Sequence, residues 1–230
     1  MNKMIDSEPI DVDKVKEIKE GEIRAMYPTC LGWVESRLPK NAIDRLWSYE
    51  ESAKKDWRSK LAGNISSSLQ LQDTDDWFYL KILSPLQNAF ESKFEAIGDG
   101  VPTSHGHPYT LGSFWINYQK QHEFNPPHIH TGVYSFTIWL KIPTDFREQH
   151  SLPWVEAANT SCASNFEFQY MNILGSMKSY SYKLDPSKEG IILFFPSELS
   201  HQVFPFYNCD EDRVSISGNL VLNSKKYQSV

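Results

Sequence analysis

Hydrophobic and polar positions follow two different rhythms along the 230 residues, and the change falls near Gly98. Before it the rhythm is helical. In "LPKNAIDRLWSYEESAKKDW" the apolar positions Ile43, Leu46, Trp47, Ala53 and Trp57 recur near the spacing of one helix face. Asn41 stands where an N-cap would, with Asp44 three residues on. A second helix is expected in "DTDDWFYLKILSPLQNAFESKF". Thr74 would cap it, Asp75 and Asp76 would suit the positive end of its dipole, and Leu83, Leu86, Phe90, Phe94 and Ile97 would form its apolar stripe. Pro85 lies inside that stripe and lacks an N–H, so a kink or break is expected there. Residues 1–30 are polar and read as a lead-in.

After Gly98 the runs are short, rich in β-branched and aromatic residues, and bounded by Gly, Pro, Asn or Asp. They are "YTLGSFWINYQKQ", "YSFTIWLKIP", "FEFQYMNIL", "MKSYSYKLD", "GIILFFPS", "HQVFPFY" and "RVSISGNLVLN". Short strands separated by turn signals predict a sandwich, jelly roll or barrel. Helices first and strands afterwards give an α+β order. The expectation is a single domain over 1–230, with a helical support region (1–97) on the outer face of one sheet and a β core (98–223). Residues 144–165, which include Trp154, have no clean period and are long for a loop. They suggest a lid or a mobile insertion.

Composition narrows the function classes. Hydrophobic residues make up 40%, enough for a substantial core at this length, and the 13% aromatic content suits pleated surfaces. The net charge of −6 argues against a broad nucleic-acid footprint, though not against a local basic groove. Three cysteines, Cys30, Cys162 and Cys209, are an odd set without C-x-x-C spacing. That argues against a disulfide framework or a cysteine–zinc site and for a cytoplasmic setting. No apolar run approaches a membrane span, and the charged N-terminus lacks the apolar stretch of a secretory signal.

The candidate chemistry begins at "FNPPHIHTG". On an extended strand His128 and His130 point to the same side, and imidazole is a good ligand for several transition metals. Two unrelated surface histidines are the plain alternative. A lone H-x-H is a weak signal, since His105 and His107 in "TSHGHPY" form another, read as a loop decoy. A third histidine, His201, lies in "FFPSELSHQVFPF". The C-terminal strand "RVSISGNL" puts Arg213, Ser215, Ser217 and Asn219 on one face and Val214, Ile216, Leu220 and Leu222 on the other. An ordinary half-exposed strand has the same stripe. However, Arg213 follows His201 by twelve residues, and a hairpin through "NCDED" would return it close to that histidine. Arginine with a serine two residues on is a good clamp for a planar carboxylate. Upstream, Trp115, Asn117 and Gln119 share a strand face. Asn117 could hydrogen-bond a bound acid, or it could simply bond its strand neighbours.

Taken together, "WINY…FNPPHIHTG…SFTIWLKIP…EGIILFFPSELSHQVFPF…RVSISGN", with "LAGNI" as a weaker marker, resembles the Fe(II)/2-oxoglutarate-dependent oxygenase superfamily, in particular its phage and bacterial members. The resemblance covers roughly residues 61–223. It implies a double-stranded β-helix, a cupin-like jelly roll with N-terminal helices. It also implies Fe(II) as metal and 2-oxoglutarate as co-substrate. His128 and His201 match the first and distal metal ligands, Arg213 and Ser215 match the clamp on the 2-oxoglutarate C5 carboxylate, and Asn117 matches a position that contacts the co-substrate in some members. The implied reaction couples oxidative decarboxylation of 2-oxoglutarate to succinate with oxidation, usually hydroxylation, of an unidentified prime substrate by molecular oxygen.

One departure stands out. The superfamily's usual carboxylate place holds His130. Three arrangements fit: His130 as a third imidazole ligand, a carboxylate from elsewhere such as Glu123 or Glu198, or water in that position. The first is preferred, because strand geometry brings His130 to the same side without special loops. Two other function classes remain. A cupin-type three-histidine metal enzyme would not use 2-oxoglutarate and would not need the Arg-x-Ser clamp. A non-catalytic jelly-roll binding module with a structural metal would need a fourth ligand, for which His122 is the candidate.

Overall fold

Each of the runs after Gly98 forms a strand in the computed structural model, which describes residues 32–53, 55–94 and 109–223. In chain order the elements are β1 (Val34–Arg37), α1 (Lys40–Ser48), β2 (Ser67–Gln70), α2 (Ser84–Lys93), β3 (Tyr109–Gln119), β4 (Asn125–His128) and β5 (Tyr134–Lys141). Then follow α3 (Phe146–His150), α4 (Pro153–Glu156), β6 (Phe166–Met171), β7 (Met177–Tyr182), β8 (Ile191–Pro196), β9 (Ser200–Val203) and β10 (Arg213–Leu222). The strands make two sheets, one of order β1-β8-β5-β10-β3-β2 and one of order β4-β9-β6-β7, antiparallel throughout. The lead-in and the His105/His107 pair lie outside the described residues.

Residue alternation decides which face of the large sheet meets which layer. Phe114, Ile116, Phe136, Ile138 and Ile216 point outward and pack with Leu46, Phe78, Leu83 and Phe90 from the helical region. Trp139, Leu193 and Phe195 point inward and meet Phe166, Phe168 and Tyr182 of the small sheet. Each fully buried large side chain contributes about 1.5–3 kcal/mol relative to its exposed state, so both faces of the large sheet are anchored. The expected parity of β10 holds: Val214, Ile216 and Leu220 are in the outer core, while Arg213, Ser215, Ser217 and Asn219 face the space between the sheets.

The helical region departs from expectation in three ways. It contributes β1 and β2, the two edge strands of the large sheet. Helix α1 starts one residue before Asn41, with Pro39 in the N-cap place and no side-chain cap bond. It runs to Ser48 and continues as a 3₁₀ turn to Ser52, so Trp57 lies beyond it. The second helical stretch is capped by Asp73 rather than Thr74. The Asp73 carboxylate accepts the backbone N–H groups of Phe78 (3.1 Å) and Tyr79 (2.9 Å) and the hydroxyl of Tyr49 (2.7 Å). Pro85 does mark an irregularity. A π turn over Tyr79–Leu83 precedes it and runs without a break into α2, so the widened turn accommodates a proline inside a continuous helical stretch. Ile97 lies outside the described residues. Among those described, no helix is long and apolar enough to cross a membrane.

Gly218 shows how tightly the large sheet is packed at the site. A Cβ there would stand 2.4 Å from the Ser113 carbonyl oxygen and 2.6 Å from the Phe136 ring, neither of which can yield cheaply. The Gly218→Ala variant is expected to lose about 1–3 kcal/mol of stability in denaturant titration, by overpacking. An unchanged midpoint would show that β10 can shift away from β3.

Candidate active site

The three histidines reach one point from two pieces of backbone. In the small sheet β4 pairs with β9, and His128 stands directly opposite His201. His130 lies just past the end of β4, not on it, and its N–H donates to the Ser197 carbonyl (2.9 Å). The expected convergence therefore occurs, with a loop residue taking the third place. One ligand nitrogen from each ring lies within 4.8 Å of the others.

The outer nitrogens fix the inner ones. His128 Nδ1 is 2.8 Å from the Pro126 carbonyl and His201 Nδ1 is 2.9 Å from the Leu199 carbonyl. A carbonyl can only accept, so each Nδ1 carries the proton and each Nε2 presents a lone pair. His130 Nε2 lies 3.2 Å from His201 Nε2, and the His130 ring packs against Trp115. Burial drives all three imidazoles toward the neutral form, reinforced by His128 acting on the other two. His128 is lowered, His130 falls to about 4, and His201, the most enclosed, falls well below the usual value.

Among the described residues no carboxylate joins this cluster. Glu123 is committed elsewhere: its carboxylate accepts the N–H groups of Ser66 (3.0 Å) and Lys120 (2.9 Å). Glu198 is exposed and outside the group, and His122 is exposed with its ring on Tyr207.

Arg213 and His201 do not share a hairpin. Strand β9 pairs with β4 and β6 while β10 pairs with β3 and β5, so the chain crosses from one sheet to the other between them. The arginine therefore reaches the cavity from the wall opposite the histidine. The cavity is about 420 Å³ and is lined by His128, His130, His201, Arg213, Ser215 and Asn117 among others. Ser215 and Asn117 are register partners on adjacent strands. The Asn117 side-chain oxygen accepts from Ser68 Oγ (2.5 Å), leaving only its N–H groups to offer a ligand.

Arg213 is fully buried and has no carboxylate partner among the described residues. Its guanidinium donates to Ser164 Oγ (2.6 Å), the Ser164 carbonyl (3.2 Å) and Gln119 Oε1 (3.3 Å), lies over the Phe206 ring (4.9 Å), and leaves Nε unsatisfied. Desolvation lowers its pKa to about 9, which still leaves it charged at neutral pH. A buried, uncompensated cation costs several kcal/mol, and an anionic ligand would relieve that cost. The fit of a dicarboxylate to this end of the cavity rests on that orphaned nitrogen.

Two contributors were not legible in the sequence as site residues. Ser164 and Phe206 form the bed of Arg213, but nothing in their local pattern distinguishes them. The segment Trp57–Ile65, which contains the weak marker "LAGNI", lines the cavity mouth. Of residues 144–165, read as a lid or a mobile insertion, none lines the cavity: they carry α3 and α4, Trp154 packs on Tyr207, and Ser164 binds Arg213.

Three converging imidazoles, two of them with inward lone pairs, share a cavity with a buried guanidinium between two antiparallel sheets, an arrangement that could hold a metal and an anion. Residues 113–219 match a family model described as "Putative 2OG-Fe(II) oxygenase". This segment, just under half of the chain, is thus similar to the Fe(II)/2-oxoglutarate oxygenases, enzymes whose cofactor is Fe(II) and whose co-substrate is 2-oxoglutarate. The structure is similar to an oxidoreductase of the 2OG-Fe(II) oxygenase family from Burkholderia pseudomallei, with TM-score 0.50 and 10% identity over 81% of this chain and 85% of that one. It is also similar to a Pseudomonas putida prolyl-4-hydroxylase, with TM-score 0.47 and 14% identity over 84% and 94%. No curated protein matches the sequence.

The buried imidazoles give the metal-free protein a pH signature. His130 titrates near 4 when folded and near 6.5 when unfolded. Between those values the unfolded chain binds more protons, so stability is full above about 6.5 and falls as pH drops toward 4. Denaturant titrations at pH 7 and pH 5 are expected to differ by roughly 2 kcal/mol from this residue, and His130→Gln to reduce the difference, the slope from His128 and His201 remaining. An equal slope in the variant would mean that His130 titrates normally.

Proposed function

We propose that the protein is an Fe(II)- and 2-oxoglutarate-dependent hydroxylase whose iron is held by His128, His130 and His201, an all-imidazole face in place of the usual two histidines and a carboxylate. Arg213 and Ser215 take the far carboxylate of 2-oxoglutarate, and the Asn117 amide donates to its oxygens. The two sheets form a double-stranded β-helix core, and the helical region belongs to the same domain. The carrying observation is the buried guanidinium, without a carboxylate partner among the described residues, in the same cavity as three converging imidazoles. A cupin-type metal enzyme that does not use 2-oxoglutarate would have no use for that charge, which makes it the weaker reading.

Iron held by His128, His130 and His201, with 2-oxoglutarate beside it, would supply the activation of dioxygen, coupled to decarboxylation of the co-substrate to succinate and carbon dioxide. The chain's residues set the conditions for that chemistry. The Pro126 and Leu199 carbonyls hold two rings in the ligating tautomer, so little reorganisation accompanies metal entry. Arg213 orients the co-substrate from the opposite wall, its position fixed by Ser164, Gln119 and Phe206. Trp115, Trp139 and Phe195 line the cavity and limit water around the reacting atoms.

Anaerobic titration with Fe(II) and then 2-oxoglutarate is expected to give a visible metal-to-ligand charge-transfer band. His201→Ala should abolish it, and Arg213→Gln should raise the half-saturating 2-oxoglutarate concentration on the order of 30-fold. Bound iron without a band would favour the 2-oxoglutarate-independent reading. A band retained in His130→Ala but lost in Glu198→Gln would move the third ligand to a carboxylate.

A further inference from the structure

The cavity's charge does not match that of the chain. The protein carries 29 acidic residues against 23 basic ones, yet the cavity lining contains no Asp or Glu. Its ionisable lining groups are the three histidines, Arg213 and Lys60. Lys60 ends a short 3₁₀ turn in the segment over the mouth. It has no carboxylate partner among the described residues, although its neighbour Arg58 is paired with Asp56 at 2.6 Å.

That segment is held in place at several points. Asn64 bridges to Phe124, with its N–H donating to the Phe124 carbonyl (2.9 Å), and Ser66 is bound by the Glu123 carboxylate. Gly63 approaches β4 so closely that a Cβ would stand 1.8 Å from Asn125 Oδ1. The backbone just after Lys60 is therefore held against β4, and Lys60 lines the cavity from that segment. Leu61, Ile65 and Ile129 provide apolar surface beside it.

Charge balance then selects a substrate class, on the reading that the triad holds iron and Arg213 holds 2-oxoglutarate. The two charges of iron cancel the two carboxylates of the co-substrate. In a site with a carboxylate ligand, that ligand would offset the arginine. Here an imidazole stands in its place, so the buried Arg213 and the exposed Lys60 remain as excess positive charge around the cavity.

We propose that the prime substrate is anionic, presenting a carboxylate or phosphate group to Lys60 at the cavity mouth with an apolar body against Leu61, Ile65 and Ile129. The glutamate that pins the segment is then a positioning residue for specificity and not a metal ligand.

The test uses full-length protein loaded with Zn(II) and saturated with 2-oxoglutarate, titrated calorimetrically with phenylacetate, phenyl phosphate and the neutral analogue 2-phenylethanol. At least one anion should bind more tightly than the alcohol, and Lys60→Gln should weaken that anion roughly five- to tenfold while sparing the alcohol. The preferred arm identifies carboxylate or phosphate. Equal binding of anions and alcohol, binding of neither anion, or a preference that survives Lys60→Gln would overturn the proposal. A separate 2-oxoglutarate titration of the Zn(II)-loaded wild type checks the underlying reading, and its failure would appear there before any probe is added.

Discussion

A single unpaired charge constrains the arrangement of this protein. Arg213 is sealed between two sheets without a carboxylate partner among the described residues, and such a group is tolerated only if its surroundings are rigid and polar where they touch it. Its bed is built from distant parts of the chain: Gln119 at the end of β3, Ser164 before β6, and Phe206 in the crossing from β9 to β10. These contacts tie the two sheets together at the Arg213 end of the cavity. The aromatic inner core of Trp139, Phe166, Phe168 and Phe195 ties them together beside it. The binding cavity is what remains between these two ties.

Much of this was legible in the residue pattern. Each run predicted as a strand after Gly98 became one, because short β-branched and aromatic runs bounded by turn residues suit a pleated strand. The parity of β10 correctly assigned Arg213 to the cavity and Ile216 to the outer core. The pairing of β9 with β10 was misjudged, because a short acidic turn looks the same whether the chain reverses within one sheet or crosses to another. Pro205 and Phe206 in that turn carry no signal of the crossing. The N-terminal edge strands were missed for a related reason. "VESR" and "SSLQ" have little apolar content, and only tertiary pairing makes them strands.

The metal cluster and the mouth segment differ in how they were legible. His128 and His130 were expected to share a strand, yet His130 arrives from the residue after next, fixed by one backbone bond to Ser197. The three histidines still converge on a slightly different geometry from the one expected, because an extended chain continues past the last ladder bond. The mouth segment left only a faint trace, since its function depends on where Gly63 meets Asn125 and on a glutamate 57 residues away from the backbone it binds.

Pro126 and Pro127 lie in β4, the edge strand of the small sheet, immediately before the first metal-binding candidate. Proline has no N–H to donate, so this edge cannot template another strand along that stretch. An active centre needs an open approach, and an open sheet edge ordinarily invites unwanted pairing. By making that edge incapable of donating, the double proline lets the histidines sit at the border of a sheet, reachable from outside, without turning the entrance into a site of aggregation.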